Sequence, residues 1–265
     1  MFDHRSDRTV VLGGVSMCME HVAESGRYQA MRTIRLSFLH MLKFVRKDKM
    51  LFAAMIAPVL AGIVIHFVIP VAEKELTAMT GRAAVLAPYY SLVDVFFASL
   101  TPVMYCFIAA MVVLEEHDDH IDRYLFVTGL GRNGYFISRI VLPTLFAFVI
   151  TVALLPVFGL TELSVVEILF LSLTGSLQGI IIALMIVTLS TNKLEGMAVT
   201  KVSSLLMFGA FVPYFVSGSL QYGVSFLPSF WMGKALSEKE PFSMILTIVV
   251  AGVWLVVMKG RYDRR

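Results

Sequence analysis

Between residues 114 and 139 the chain reads Leu-Glu-Glu-His-Asp-Asp-His-Ile-Asp-Arg-Tyr-Leu-Phe-Val-Thr-Gly-Leu-Gly-Arg-Asn-Gly-Tyr-Phe-Ile-Ser-Arg. Glu115, Glu116, Asp118, Asp119 and Asp122 follow directly on a long apolar run. The chemistry open to such acids is ion pairing. Carboxylates at the C-terminal end of a helix oppose its macrodipole, so the arrangement calls for a cationic or hydrogen-bonding partner. The plain alternative is a solvated acidic loop. His66, His117 and His120 are not spaced together as metal ligands, and no H-E-x-x-H, Cys-x-x-Cys, G-x-S-x-G or phosphate-binding G-x-x-x-x-G-K-[ST] occurs. The chain therefore reads as having no catalytic residues, no metal site and no cofactor of its own. Cys18 and Cys106 read as two reduced thiols without a disulfide framework.

Three polar residues stand inside apolar runs: His66, Asp94 and Gln178. Ionisable groups at membrane depth are costly and mark substrate or ion paths. His66 and Asp94 fall at similar depth near one end of their runs, where they could pair or meet a cargo. Satisfaction by a neighbouring helix is the other reading, and Gln178 can equally be interhelical glue. These three form a candidate translocation path.

The elements that must carry these residues are membrane-spanning helices. Apolar residues make up 58% of the 265 and charged ones 15%, well under the roughly 25% of a soluble domain. Runs able to cross about 30 Å of hydrocarbon lie at 51–71, 90–114, 139–159, 166–190, 200–221 and 243–258. The first is expected to end at Pro70. The linker 160–164 is short enough to make the third and fourth spans an antiparallel pair. Lys and Arg flank the spans unequally, fifteen on one side and four on the other, which puts both termini in the cytoplasm. The net charge of +3 gives no footprint for nucleic acid.

The fold expected is an all-α integral membrane protein of six spans. Its parts are a tail at 1–27, an interfacial helix at 28–47, the spans within 48–260 and a basic tail at 261–265. Along 28–47, Met31, Ile34, Phe38, Met41, Leu42 and Val45 share one side while Arg32, Arg35, Lys43 and Lys47 take others. Such a helix lies flat at the inner interface with its apolar side in the lipid, or packs that side on protein. The tail has no cleavage site after its apolar stretch, so it is not read as a signal peptide. Met17, Met19 and Met31 leave room for an internal start. In the 114–139 loop, Ile121, Leu125 and Phe126 are expected on one side of a short amphipathic helix, followed by a turn through Gly129, Gly131 and Gly134. Small residues at Ala53, Ala57 and Ala61, and at Gly175 and Gly179, favour close helix contact.

The acidic cluster, the Val127-Thr128 turn and the Tyr135-x-x-x-Arg139 spacing together resemble permease subunits of type 2 ATP-binding-cassette (ABC) exporters, half-size six-span members of the drug- and fluoroquinolone-export kind. Lys47-Asp48-Lys49-Met50 before a span with Pro58, Asn192-Lys193-Leu194-Glu195-Gly196 with Lys201 beyond, and Leu227-Pro228-Ser229-Phe230-Trp231 resemble further family segments in order. The family often has Pro and Ser after Val-Thr, where this chain has Gly129 and Gly131. The resemblance implies a bacterial plasma-membrane permease that exports an amphipathic compound, peptide or lipid-like cargo. A separate ATPase subunit would bind ATP and Mg, and a second permease copy or a similar permease would complete the path through the lipid bilayer. It also implies a cytoplasmic coupling helix between spans two and three, with coupling residues Glu115, Glu116, Asp118, Asp119, Asp122, Arg123, Val127, Thr128 and Arg139. The stretch 222–242, with Phe226, Phe230 and Trp231, would fold as re-entrant helices. The rival from another class is an ion-coupled secondary transporter using Asp94 and His66. A lipid-modifying enzyme lacks a catalytic constellation, and a membrane scaffold is the remaining alternative.

Overall fold

A computed structural model describes residues 31–264 apart from Arg82, Thr128, Gly129, Ser217 and Lys239. The tail at 1–27 and the start of the interfacial helix lie outside those residues. Within them the chain is helical without strands. Six helices are long and apolar enough to span a bilayer: Lys49–Thr80, Ala87–Asp118, Gly131–Phe158, Val165–Leu189, Lys193–Phe215 and Pro241–Asp263. The chain is a multi-pass membrane protein.

The second and fourth spans form the centre, and the other four are largely exposed around them. Glycine makes that centre tight. A Cβ on Gly175 would stand 2.3 Å from the Ala98 carbonyl oxygen, and one on Gly179 would stand 2.9 Å from Cys106 Sγ and 3.0 Å from the Pro102 carbonyl oxygen. Pro102 has no N–H, so the Ala98 carbonyl lacks its usual partner four residues on and lies against the bare backbone of Gly175. The expected alanine ridge on the first span does not act this way. Ala53 is exposed and Ala57 and Ala61 half-buried. The buried contact residues are Leu51, Pro58 and Gly62, with Gly62 held beneath the Phe158 ring.

Several spans run beyond their apolar cores. The first does not end at Pro70 but continues to Thr80, where Gly81 (φ 65°) donates its N–H to Thr77 O. Glu73 secures the extra turns by accepting N–H groups from Val85 (2.8 Å) and Leu86 (2.5 Å). The third span begins at Gly131 (φ 63°) instead of residue 139. It passes through a π turn at Ile137–Val141. Gly134, expected in a turn, is helical and buried, close against Leu130. The fifth span starts at Lys193 and stops at Phe215, and the sixth reaches Asp263. Where a helix outruns its apolar run, charged or polar end turns dilute the apolar signal; the fifth instead stops short of the expected residue 221.

The interfacial helix is present over 31–47. Part of its apolar side packs on protein: Met41 and Val45 are buried in the core, with Ile34 and Phe38 packed against it. Met31 points outward, and Arg32, Arg35, Lys43 and Lys47 are exposed. On the opposite side of the molecule a helix at Pro228–Glu238 packs against the fifth and sixth spans. Ser229 Oγ donates to Leu206 O at 2.5 Å, and Gly233 meets Ala210 backbone. Phe230 is fully buried there, while Phe226 is exposed.

Candidate functional site

The last turn of the second span, Glu115 to Asp118, is the hub of a charged network. Glu116 binds Arg139 through a fork, with Nη2 at 2.6 Å from Oε1 and Nε at 2.9 Å from Oε2. Tyr135 Oη donates to the same carboxylate at 2.8 Å. Nη1 of Arg139 donates to both Ser37 O and Ser37 Oγ at 2.9 Å. One guanidinium, only 4% exposed, thus joins the second span, the third span and the interfacial helix. Its rigid planar donors suit three such simultaneous contacts, which a lysine could not make.

Glu115 points to another element. Lys193 Nζ lies 2.6 Å from Glu115 Oε2 and 3.1 Å from Asp48 Oδ2, while the Lys193 backbone N–H donates to Asp118 at 3.0 Å. Asp48 also caps the first span, accepting from Met50 N (2.8 Å) and Leu51 N (3.2 Å). Partial burial opposes ionisation of Asp48, yet the Leu51 N–H, Lys193 and the Met50 N–H together hold its carboxyl below the usual range. The neighbouring sequence supports this placement of Lys193. Asn192 caps the fifth span through Glu195 N (2.9 Å), Glu195 accepts from Thr191, and a Cβ on Gly196 would meet Leu114 Cδ1 at 2.3 Å.

His120, with φ 59°, turns the chain into the short helix Ile121–Val127. Asp122 points inward and pairs with His117 Nδ1 at 2.7 Å. Leu125 and Phe126 pack on the core, Phe126 edge-on to Tyr135 at 5.2 Å. Ile121 does not join them, because Asp122 takes the inward position. It instead forms an outward row with Tyr124 (72% exposed) and Val127 (85% exposed). Asp119 and Arg123 are exposed and make no ion pair among the described residues; Thr128 lies outside those residues. Beneath this helix is a cavity of about 170 Å³, bordered by His117, Asp122, Phe126, Arg132 and Tyr262 among others. Arg132 closes it toward the sixth span by donating to Asp263 O at 3.2 Å. No group of three metal-ligating side chains occurs among the described residues.

The structure does not bring the three intramembrane residues together. Asp94 is fully buried and accepts from Leu160 N (2.8 Å), Thr161 N (2.9 Å) and Thr161 Oγ1. It clamps the linker between the third and fourth spans. His66 is exposed, edge-on to Phe67 and Phe158, and no hydrogen bond or ion pair joins it to Asp94 among the described residues. Gln178 is buried with neither amide atom paired. Asp94→Asn should place an NH₂ group against donors and lower stability by about 1–3 kcal/mol. Thermal denaturation of the purified variant in detergent measures this, and parental stability would remove the clamp.

Sequence reasoning missed Ser37, Asp48, Arg132 and Lys193 as parts of this network. Their partners are 102, 145, 130 and 78 residues away, and no local pattern announces such pairs. Tyr135 and Arg139 stood out only through the family resemblance, and the structure joins both to Glu116.

A family model described as "Fluoroquinolones export permease protein Rv2686c-like" matches residues 41–259. Two curated relatives, both from Mycobacterium tuberculosis, are Fluoroquinolones export permease protein MT2760 (strain CDC 1551 / Oshkosh) and Fluoroquinolones export permease protein Rv2686c (strain ATCC 25618 / H37Rv). Each is 26% identical over 192 residues, covering 71% of this chain and 75% of the relative. No solved structure matches the chain.

Proposed function

Since the chain belongs to the Rv2686c-like fluoroquinolones export permease family, we propose that it is the membrane-spanning permease subunit of an ATP-driven ABC exporter. ATP and Mg are bound by a separate ATPase subunit, and two permease halves enclose the path. The charge-rich face is cytoplasmic, with both termini, at a bacterial plasma membrane. The cargo is an amphipathic drug of the class named for the relatives.

The observation that carries this reading is how the helix Ile121–Val127 is mounted. Its inner side is fixed by Asp122 to His117 and by Phe126 to Tyr135, while Ile121, Tyr124 and Val127 face outward. A soluble partner pushing on that row moves a body already tied together. Glu116 and Arg139 pass the motion to the second and third spans and the interfacial helix, and Glu115 and Lys193 pass it to the fifth. Rigid-body displacement of this kind is how ATPase closure opens a path without remaking the fold. Asp94, with its oxygens already taken by the linker, gives no support to ion-coupled transport.

Affinity purification of the tagged chain in mild detergent tests the proposal. A stoichiometric ATPase with vanadate-sensitive activity is expected; a stable chain without any nucleotide-binding partner would defeat it. A sharper form uses Tyr124→Asp with Val127→Asp. Both side chains are exposed, so melting should stay within about 0.5 kcal/mol of the parent, while the ATPase should no longer co-purify. Retention of the ATPase would free that row from the contact.

A further inference from the structure

Five aromatic rings run along the half of the fifth span farthest from Lys193. Phe208, Phe211 and Phe215 recur at intervals of three and four, so they share one helix side. Phe208 and Phe211 are 5.5 Å apart at 32°, and Phe211 and Phe215 are 6.4 Å apart at 12°. Tyr89, just before the second span, continues the stack on Phe215 at 5.3 Å and 13°, and Phe96 meets Phe211 edge-on at 5.8 Å. Phe208 is 54% and Phe215 62% exposed. At the border of the ladder the hydroxyls of Ser91 and Tyr214 lie 3.1 Å apart.

We infer that this ladder is the surface on which a planar aromatic cargo stacks, with the Ser91 and Tyr214 hydroxyls meeting its polar edge. The inference rests on the drug-export reading above and adds the residues that recognise the drug. Tyr89, Phe215 and Phe211 stack near-parallel, and the exposed part of Phe215 offers the same geometry to a further flat ring. Lipid chains gain nothing from a common ring orientation. An interfacial belt does not account for the ladder either, since belts are built of Trp and Tyr at one depth. Four of these five rings are Phe, and residues 208 to 215 extend over about 10 Å of helix. The relatives' named cargo, the fluoroquinolones, is flat and aromatic and carries a keto-acid edge able to accept from hydroxyls.

The test is ciprofloxacin binding to the full chain in lipid nanodiscs, read by the drug's own fluorescence anisotropy, with ATPase co-purification followed in parallel. Phe211→Leu and Phe215→Leu keep apolar bulk and remove the ring. Each should weaken ciprofloxacin about five- to tenfold, while Phe215→Tyr should bind as the parent does and deoxycholate, which is not aromatic, should bind all variants alike. Parental ciprofloxacin affinity in both Leu variants, or no binding to the parent, overturns the inference. So does an equal loss for deoxycholate, which would make the face merely apolar, or a change in oligomeric state, which would give it to a second copy. ATPase co-purification separates the two levels: if it persists while the ladder fails, the permease reading stands, and if the parent recruits no ATPase, that reading falls first.

Discussion

Arg139→Met is expected to lower the stability of the detergent-solubilised chain by about 3–5 kcal/mol, the usual cost of leaving one member of a buried pair without the other. Methionine fills a similar volume, so packing is nearly kept and the effect is electrostatic. Glu116 would retain only the Tyr135 hydroxyl, and both acceptors on Ser37 would lose their donor. Arg139→Lys should recover little, since one ammonium cannot serve the Glu116 fork and Ser37 together. The double variant Arg139→Met with Glu116→Met should be more stable than either single variant, because no buried charge is then stranded. Thermal melts of the four proteins decide this. A double variant as unstable as the sum of the singles would mean that the two side chains stabilise the fold independently of each other. On the coupling role proposed above, the same variants should show uncoupling: where protein survives, the proposed ATPase partner should bind yet no longer respond to cargo.

Gly175→Ala is expected to cost about 1–3 kcal/mol, the range for overpacking a tight contact, and Gly175→Val more. The atom 2.3 Å from the new methyl is a backbone carbonyl oxygen, not the end of a flexible side chain. The second and fourth spans must therefore separate for it to fit. Gly252→Ala supplies the control, since nothing lies within 4 Å of its Cβ position, and it should melt like the parent. Equal melting of Gly175→Ala and the parent would show that the central pair tolerates separation.

The six spans were legible because hydropathy records the length of helix that must lie in hydrocarbon. Their ends were not, since Arg132, Lys193 and Arg261 continue helices into the polar layer where hydropathy is silent. For the acidic stretch, the macrodipole argument correctly demanded partners for Glu115, Glu116 and Asp122, but those partners are in the same chain: Lys193, Arg139 and His117. A linear pattern can state that a charge needs compensation; it cannot state which distant helix end folds beside it. The inward turn of Asp122 likewise reversed the expected side of Ile121. A helix of seven residues is too short for periodicity to fix which side faces in.

Asp94 bears on how the chain is made. Its acceptors are met by Leu160 and Thr161, 66 and 67 residues farther on. At about 5–20 residues per second, those N–H groups emerge several seconds after Asp94 leaves the ribosome. During that interval the second span carries a carboxyl with none of its final donors. Its carboxyl meets those donors only once the third span has been made and the chain has turned back. The central helix of the finished protein therefore gains its full set of contacts only after the third span and the linker behind it have been made.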